Sequence, residues 1–265
     1  MISVICPCYN AESYIEKTIQ SLLSQSKKDF DFEIIFIDDG STDKTLSKLK
    51  DSIKLFLGKD IMVTVKTQNN DGAGSARNLG IKYANFRYIA FLDADDIWEK
   101  NKLQTCYEFI INNPKHNLFS HNERYIKLDG TVSQLTNGLF AFKDISKSLY
   151  IKNTLSTSAV VLDKKLLNDH GSFDVTLKSS QDYDLWLKIS PSMKPMHIDL
   201  ILGEYNELES SITSQYYLFR FFDQLKIAYR YRKYSGMMTF IKKIMKILLS
   251  KQWVLGLLST KKHGF

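Results

Sequence analysis

The sequence predicts an α/β fold, a parallel sheet with helices on both faces, followed by a basic helical tail. Three observations carry this. Over the first hundred residues, short apolar strand-like runs alternate with amphipathic helical patterns at crossover spacing. Each unusual polar loop follows a strand, so these loops gather on one edge of the sheet, where open α/β sheets bind ligands and most naturally a nucleotide. Charge is also uneven. Residues 216–265 hold eleven Lys and Arg against one acid, Asp223, so the whole net charge of +7 lies in the tail and residues 1–215 are net acidic.

Length and composition suit one large domain with an appendage. The 265 residues are 44% hydrophobic and 25% charged, ordinary for a globular chain with ample core. Three cysteines make no disulfide framework. Cys6 and Cys8 fall two apart in a strand pattern and share a face as small packing residues, which fits a reducing cytoplasm. No basic n-region precedes the first strand and no long uncharged apolar run follows, so neither a signal peptide nor a membrane span is expected.

The elements follow in order. Residues 3–8 read as a buried strand stopped by Pro7-Cys8-Tyr9-Asn10. Asn10 is placed to cap a helix that has Glu12 and Glu16 in its first turns and an Ile15, Ile19, Leu22, Leu23 stripe. Residues 32–37 form a second strand running into Asp38-Asp39-Gly40-Ser41-Thr42-Asp43, with a helix starting near Thr45. Residues 61–65 are a third strand, followed by a Gly-rich loop and a helix over 76–84. Residues 88–92 are a fourth strand. Beyond it come a helix over 102–111, paired strands at 119–127 and 132–135, a strand at 158–162 and a helix over 182–189.

Four stretches carry chemistry. After the fourth strand, Asp93, Asp95 and Asp96 fall within four positions; such acids form either a solvated turn or a cation site, since three ionised carboxylates repel. A hard divalent ion already carrying phosphate oxygens meets that need. Asp38-Asp39 at a strand end either caps a turn or accepts from a nucleobase N–H and ribose hydroxyls. Arg77, in Gly72-Ala73-Gly74-Ser75-Ala76-Arg77-Asn78-Leu79-Gly80, either braces the acidic loop or faces a phosphate. Asp182, in Gln181-Asp182-Tyr183-Asp184-Leu185-Trp186, starts a helix, where a carboxylate is either a cap or a base kept ionised by the helix N-terminus.

In this order, Pro7-Cys8-Tyr9-Asn10, Asp38-Asp39-Gly40-Ser41-Thr42-Asp43, Ala76-Arg77-Asn78-Leu79-Gly80, Asp93-Ala94-Asp95-Asp96 and Gln181-Asp182-Tyr183-Asp184 resemble the family 2 inverting glycosyltransferases of GT-A fold. The resemblance covers residues 1–215. It implies a Rossmann-like nucleotide-sugar-binding half at 1–100 and an acceptor-binding half at 101–215, with 216–265 the basic tail. By the same resemblance, Asp38 with Asp39 would hold the nucleobase and ribose, and Pro7, Tyr9, Asn10 and Glu12 would line the base pocket. Arg77 would steady the donor, while Asp93, with Ala94 beside it, would contact ribose or sugar. Asp95 would ligate Mn²⁺ or Mg²⁺ bridging the diphosphate, and Asp182 would deprotonate the acceptor hydroxyl. The expected activity is inverting, metal-dependent transfer of a hexosyl or N-acetylhexosaminyl group from a nucleotide sugar, with UDP the expected nucleotide, to a glycan or lipid-linked acceptor in surface-polysaccharide assembly. Three positions depart from the pattern. Gln181 stands where Glu is common, and Asn206 and Leu208 replace an Arg and a His that often follow the base.

In the tail, residues 240–254 have a helical pattern. Phe240, Ile241, Ile244, Met245, Ile247 and Leu248 oppose Lys242, Lys243 and Lys246. Such a helix either lies on anionic lipid or packs on protein; charge without acids favours the lipid and places the protein at the inner face of the cell membrane. No nucleic-acid-binding module accompanies the charge. The first turn is not the basic Gly-rich loop of a sugar-nucleotide pyrophosphorylase. A non-catalytic nucleotide-sugar binder is the competing reading, raised by Asn206 and Leu208.

Overall fold

The computed structural model describes residues 1–207 and 217–250. A nine-stranded sheet forms the spine. β1 (Ile2–Cys8), β2 (Phe32–Asp38), β3 (Met62–Thr67) and β4 (Tyr88–Phe91) are parallel, in the spatial order β3-β2-β1-β4. The sheet does not remain parallel. β8 (Val160–Asp163) joins β4 antiparallel, and β6 (Leu118–Ile126), β9 (Pro195–Asn206) and β5 (Ile97–Trp98) continue the sheet, with β7 (Val132–Leu135) hairpinned onto β6. The parallel order expected of the first hundred residues holds for β1 to β4, while β5 pairs antiparallel with β9. The second half closes with strands whose long-range partners leave no local periodicity to read. β9 is the clearest case: twelve residues that start at Pro195 and pair with β6 across a register shift at His121 to Glu123.

Period-two alternation divides β1 between two cores. Ile2, Val4, Cys6 and Cys8 face a layer built with Ile15, Ile19 and Leu22 of α1 (Ile15–Leu23), Leu49 of α2 (Thr45–Ser52) and Leu103 and Cys106 of α4 (Lys102–Asn112). Ile5 faces the other way, with Ala76 of α3 (Ala73–Tyr83) and with Leu185, Trp186 and Leu187 of α7 (Gln181–Ile189). The cysteines are free and buried, as their spacing predicts. Two short helices, α5 (Ile145–Ile151) and α6 (Lys164–His170), complete the second face; neither is long enough to show a stripe in sequence.

Helices α8 (Tyr217–Arg230) and α9 (Met237–Leu248) close the described chain. They are not detached. Ile227 and Tyr231 enter the same core as Trp186, and the Tyr150 hydroxyl donates to the Ala228 carbonyl at 2.9 Å. Arg230 donates to Asp184 at 2.5 Å and to Asp174 at 2.8 Å. The Asp223 carboxylate accepts from the backbone N–H of Lys178 and Ser179 just ahead of α7. The two sides of the expected boundary at 215 thus share a core. Among the described residues no helix is long and apolar enough to cross a membrane. The end of the predicted 240–254 helix, with Lys251 and Val254, lies outside the described residues, as does Leu208.

Candidate functional site

The site begins where β1 and β2 end side by side. Asn10 does not cap α1; it takes a left-handed backbone (φ 46°), and its side-chain oxygen accepts from the Thr42 backbone N–H at 2.9 Å. Its own N–H donates to the Ser41 hydroxyl, and the Glu12 N–H donates to Asp43. Glu12 in turn accepts from the Lys44 N–H at 3.1 Å. These bonds join the first turn to the Asp38–Asp43 loop as one unit. Pro7 is buried inside β1, whereas Tyr9 stands exposed at its end.

The paired acids Asp38 and Asp39 are both buried, with different tasks. Asp39 is fully engaged, accepting from the Gln68 side chain at 2.7 Å and from the N–H groups of Asp71 and Gly72 at 3.0 and 2.9 Å. It pins the Gly-rich loop onto the end of β2. That loop crosses Gly40 so closely that a Cβ there would lie 2.9 Å from the Asn70 nitrogen, and Gly40 has φ 74°, so only glycine fits. Asp38 uses one oxygen for the Ser41 N–H, and its buried Oδ1 has no partner among the described residues. A buried carboxylate oxygen without a donor is an acceptor awaiting one.

The acidic loop leaves β4 under tight control. Asp96 is buried, accepting from the Ser158 hydroxyl at 2.5 Å and the Asn206 N–H at 3.2 Å, and the Asn206 side chain donates to the Asp95 carbonyl. Thr18 donates to the carbonyls of Ala94 and Asp96. Asp93 receives the Arg77 guanidinium at 2.5 Å, and Arg77 is itself buried and lies over the Phe173 ring. Asp95 has no such partner, and burial, then the neighbouring Asp93 charge, pushes its carboxyl up to about 6. The same buried charge, after desolvation, raises the phenol of nearby Tyr14 to about 12.

Asp93, Arg77 and Asp182 open on one cleft of about 1320 Å³, larger than one drug-sized ligand requires. Asp182 lies in the first turn of α7. Its carboxylate accepts from Asn153 at 3.3 Å, and burial raises its pKa against the lowering pull of the Tyr183 backbone N–H and Arg77. Gln181 turns away, donating to the Leu177 carbonyl and lying where any Cβ on Gly74 would stand, 2.7 Å from its side chain. Asp95 is not on this wall, and Asp38, Asp39, Asn10 and Glu12 belong to the strand-end loops.

Beside these acids the cleft lining is largely basic. Lys152, Lys178, Arg220, Lys242, Lys243 and Lys246 line it, while Asp93 and Asp182 are its only acids among the described residues. The tail lysines therefore face the site. Lys243 donates to the Tyr150 carbonyl and, at 2.9 Å, to the Tyr183 hydroxyl, tying α9 to the residue after Asp182. The single broad apolar face expected of this helix is split: Phe240 and Ile244 pack inward and Ile247 is buried, whereas Ile241, Met245 and Leu248 are exposed.

No group of three His, Cys, Asp or Glu side chains forms an all-protein metal cage among the described residues. Asp93 and Asp95 nonetheless suit a divalent ion that also takes phosphate oxygens, because Mg²⁺ and Mn²⁺ are commonly held by one or two carboxylates plus substrate. The raised Asp95 carboxyl is the observation behind this fit, since a nearby cation would relieve that cost.

Ser158, Thr18 and Asn153 escaped the sequence reading, and Asn206 entered it only as a departure from the family pattern. Each is a common residue whose role depends on a partner more than 25 positions away, so no spacing marks it.

Strand order, helices on both faces and strand-end acids define a GT-A glycosyltransferase. The profile of Glycosyl transferase family 2 matches residues 3–171, and the chain belongs to that family. The Escherichia coli UDP-Glc:alpha-D-GlcNAc-diphosphoundecaprenol beta-1,3-glucosyltransferase WfgD is 32% identical over 81% of this chain and 80% of its own. The putative teichuronic acid biosynthesis glycosyltransferase TuaG of Bacillus subtilis is also 32% identical, over 81% of this chain and 82% of its own. The protein is thus a glycosyltransferase related to enzymes of polysaccharide biosynthesis. Among solved structures, S. aureus TarS 1-349 in complex with UDP-GlcNAc superimposes with a TM-score of 0.72 at 23% identity, covering 93% of this chain and 71% of that one. The mannosyltransferase PcManGT from Pyrobaculum calidifontis, in complex with GDP-Man and Mn²⁺, gives 0.67 at 15% identity, covering all of this chain and 76% of that one. At these identities the likeness is one of fold.

Proposed function

We propose that the protein transfers a hexosyl or N-acetylhexosaminyl group, with inversion, from a UDP-sugar to a glycan or lipid-linked acceptor at the inner face of the cell membrane. One observation carries the reading. Among the described residues, Asp182 is the one acid on the cleft wall that forms no salt bridge, and it shares that wall with the Arg77–Asp93 pair at the ends of the parallel strands. UDP as the nucleotide draws support from a relative that uses UDP-Glc.

In this reading the free Oδ1 of Asp38 accepts from the uracil N–H or a ribose hydroxyl, and Asp39 keeps the Gly72 loop out of the way. Pro7, Tyr9, Asn10 and Glu12 shape the pocket's rim, while Asp93 and Ala94 meet the ribose or sugar. Arg77 is held by Asp93 at a fixed angle, and its buried Nε remains unpaired. Asp95, with Asp93 beside it, would hold Mn²⁺ or Mg²⁺, which when bound offsets the charge growing on the departing diphosphate. Asp182 takes the proton of the acceptor hydroxyl as its oxygen forms the new bond to the anomeric carbon. The bond from that carbon to the diphosphate oxygen breaks on the opposite face. Burial moves the Asp182 pKa upward, towards the range where a carboxylate is an effective base near neutral pH.

The test is donor turnover. Purified protein is incubated with UDP-, GDP- and dTDP-sugars and Mn²⁺, with and without chelator, and nucleoside diphosphate is measured. Metal-dependent UDP release that disappears in Asp95→Ala is the expected result. Donor binding with no release, even with mixed glycan and lipid-linked acceptors, would make the protein a nucleotide-sugar binder and overturn the reading.

A further inference from the structure

Residues 153–157 line the cleft between the end of α5 and the start of β8. The segment ends at Ser158, whose hydroxyl donates to Asp96 and accepts from the Asp93 N–H, and whose carbonyl accepts from the Trp98 indole. It begins at Asn153, which donates to Asp182. The side-chain oxygen of Asn153 accepts from the Leu155 N–H at 3.1 Å, a local turn that sets which way the amide nitrogen points. Asn153 is itself exposed, so its aim is only as steady as the backbone of 153–156. Of those four residues only Leu155 buries its side chain, too little apolar packing to fix a backbone.

Hydrogen bonds to a buried amide do so instead. Asn137 is 2% exposed, and its side-chain oxygen accepts from the Ser156 N–H at 3.0 Å. Its amide nitrogen donates to the His121 carbonyl and to the Glu123 carboxylate of β6, each at 3.0 Å. Next to it the Gly138 N–H donates to the Thr154 carbonyl at 2.7 Å. Gly138 takes φ 76°, and a Cβ there would run into the Ser120 hydroxyl, so the chain after Asn137 lies close against β6. β6 shifts register against β9 at His121 to Glu123, the residues that Asn137 grips; strand irregularities of this kind re-aim groups beside a site.

We propose that Asn137 is a positioning residue for transfer: by clamping residues 153–156 to β6 it holds the Asn153 amide against the Asp182 carboxylate. This rests on the reading of Asp182 as the base and adds what aims it. The Ser158 end of the segment is tied separately to Trp98 and Asp96, so the donor side does not depend on the clamp.

UDP release from UDP-glucose or UDP-N-acetylglucosamine, whichever wild type turns over, is followed with Mn²⁺ and a panel of octyl glycosides. The variants are Asn137→Ala, Asn153→Ala and the two combined. Each single substitution is expected to lower kcat about ten-fold and to leave the donor KM within about two-fold, because only the base loses its support. The combined variant should be no slower than either single one, since both cut the same chain of bonds. Asn137→Leu, which fills similar space without hydrogen bonds, replaces Asn137→Ala if that protein does not fold. A wild-type kcat in Asn153→Ala would overturn the proposal. So would losses that multiply in the combined variant, or a donor KM that rises as far as kcat falls; either would make Asn137 a structural support only.

The second readout does not need turnover. The Asp182 carboxyl is titrated by carbon NMR of labelled aspartate, its signal assigned by its absence in Asp182→Asn. Arg77 of α3 and Asp93 of the acidic loop face this carboxyl in every variant. Losing the Asn153 donor should therefore raise its pKa, and equally in the Asn137 and Asn153 variants. If wild type releases no UDP, the transferase reading fails, and this shift alone decides whether Asn137 holds Asp182. An unmoved pKa in the Asn137 variant would overturn that hold.

Discussion

The strand-end loops of the first hundred residues and the helices that close the second half hold their charged side chains by different means. In the loops, carboxylates are satisfied by backbone N–H groups: Asp39 by Asp71 and Gly72, Asp43 by Glu12 and Thr45, Glu12 by Lys44. Around α7, α8 and α9 side chains from distant elements join in, as Arg230 does to Asp184 and Asp174, or Lys243 to Tyr183, beside the backbone N–H groups that hold Asp223. Backbone donors are fixed by the chain's path, so the donor loops are shaped before any ligand arrives. Side-chain ion pairs instead determine how one helix sits on another. The first arrangement builds a site, and the second aims a single residue, Asp182, into it.

Four substitutions sharpen or break this contrast. The largest effect belongs to the aimed residue. Asp182→Asn keeps the shape and the Asn153 contact but accepts no proton, so transfer should fall about a thousand-fold while donor affinity, read by calorimetry, stays unchanged. Next is the ionic helix contact. Arg230→Met leaves Asp184, which is fully buried, with Lys188 at 3.6 Å as its remaining cation, and should cost about 3 kcal/mol in urea unfolding. An Arg230→Met protein as stable as wild type would show that the helices pack without their charges.

The backbone-held loop should be more forgiving. Asp39→Ala strands three donors, two of them on a loop that water can reach, so about 2 kcal/mol is expected, with weakened UDP binding as the more telling readout. The smallest effect is one of pH. Glu123 on β6 is buried, accepting from the Asn137 side chain, and burial pushes its carboxyl up to about 7 from an ordinary 4.5. The folded state therefore favours the protonated acid. Stability from this group is fully present below about pH 4.5 and is lost as pH rises through about 7. Glu123→Gln should flatten that slope between pH 5 and 8 in chemical denaturation, and an unchanged slope would place its origin elsewhere.

The same contrast explains what the sequence discloses. Strand-end acids are legible because they fall in one short run directly after an apolar strand, as Asp38 to Asp43 do, although the backbone groups of Glu12, Asp71 and Gly72 that hold them lie 31 to 33 positions away. The parallel order β3-β2-β1-β4 follows from the alternation of runs. Asn10 misleads: a residue suited to cap a helix spends its side chain on Thr42, because the loop 32 positions away offers a better placed N–H. The support that Ser158 and Asn206 give Asp96 is invisible for the converse reason, since it comes from the turn before β8 and from the end of β9, which meet the acidic loop only in the folded sheet. The tail's charge was legible, but not its direction. Alternation of apolar and basic residues fits a helix on lipid or on protein equally well, and only the contacts of Lys243, Phe240 and Ile247 show which sector faces inward.

β4 pairs with β1 on one side and with β8 on the other, in opposite senses, and the acidic loop issues from its end. It is the seam between the two halves. On the function proposed above, joining a relative's later residues to this chain's residues 1–96, which keep Asp93 and Asp95, should change what is glycosylated and retain the donor, provided the relative supplies counterparts of Ser158 and Asn206. Chimeras cut at this strand should exchange acceptors as modules, whereas cuts inside β6 or β9 should yield insoluble protein.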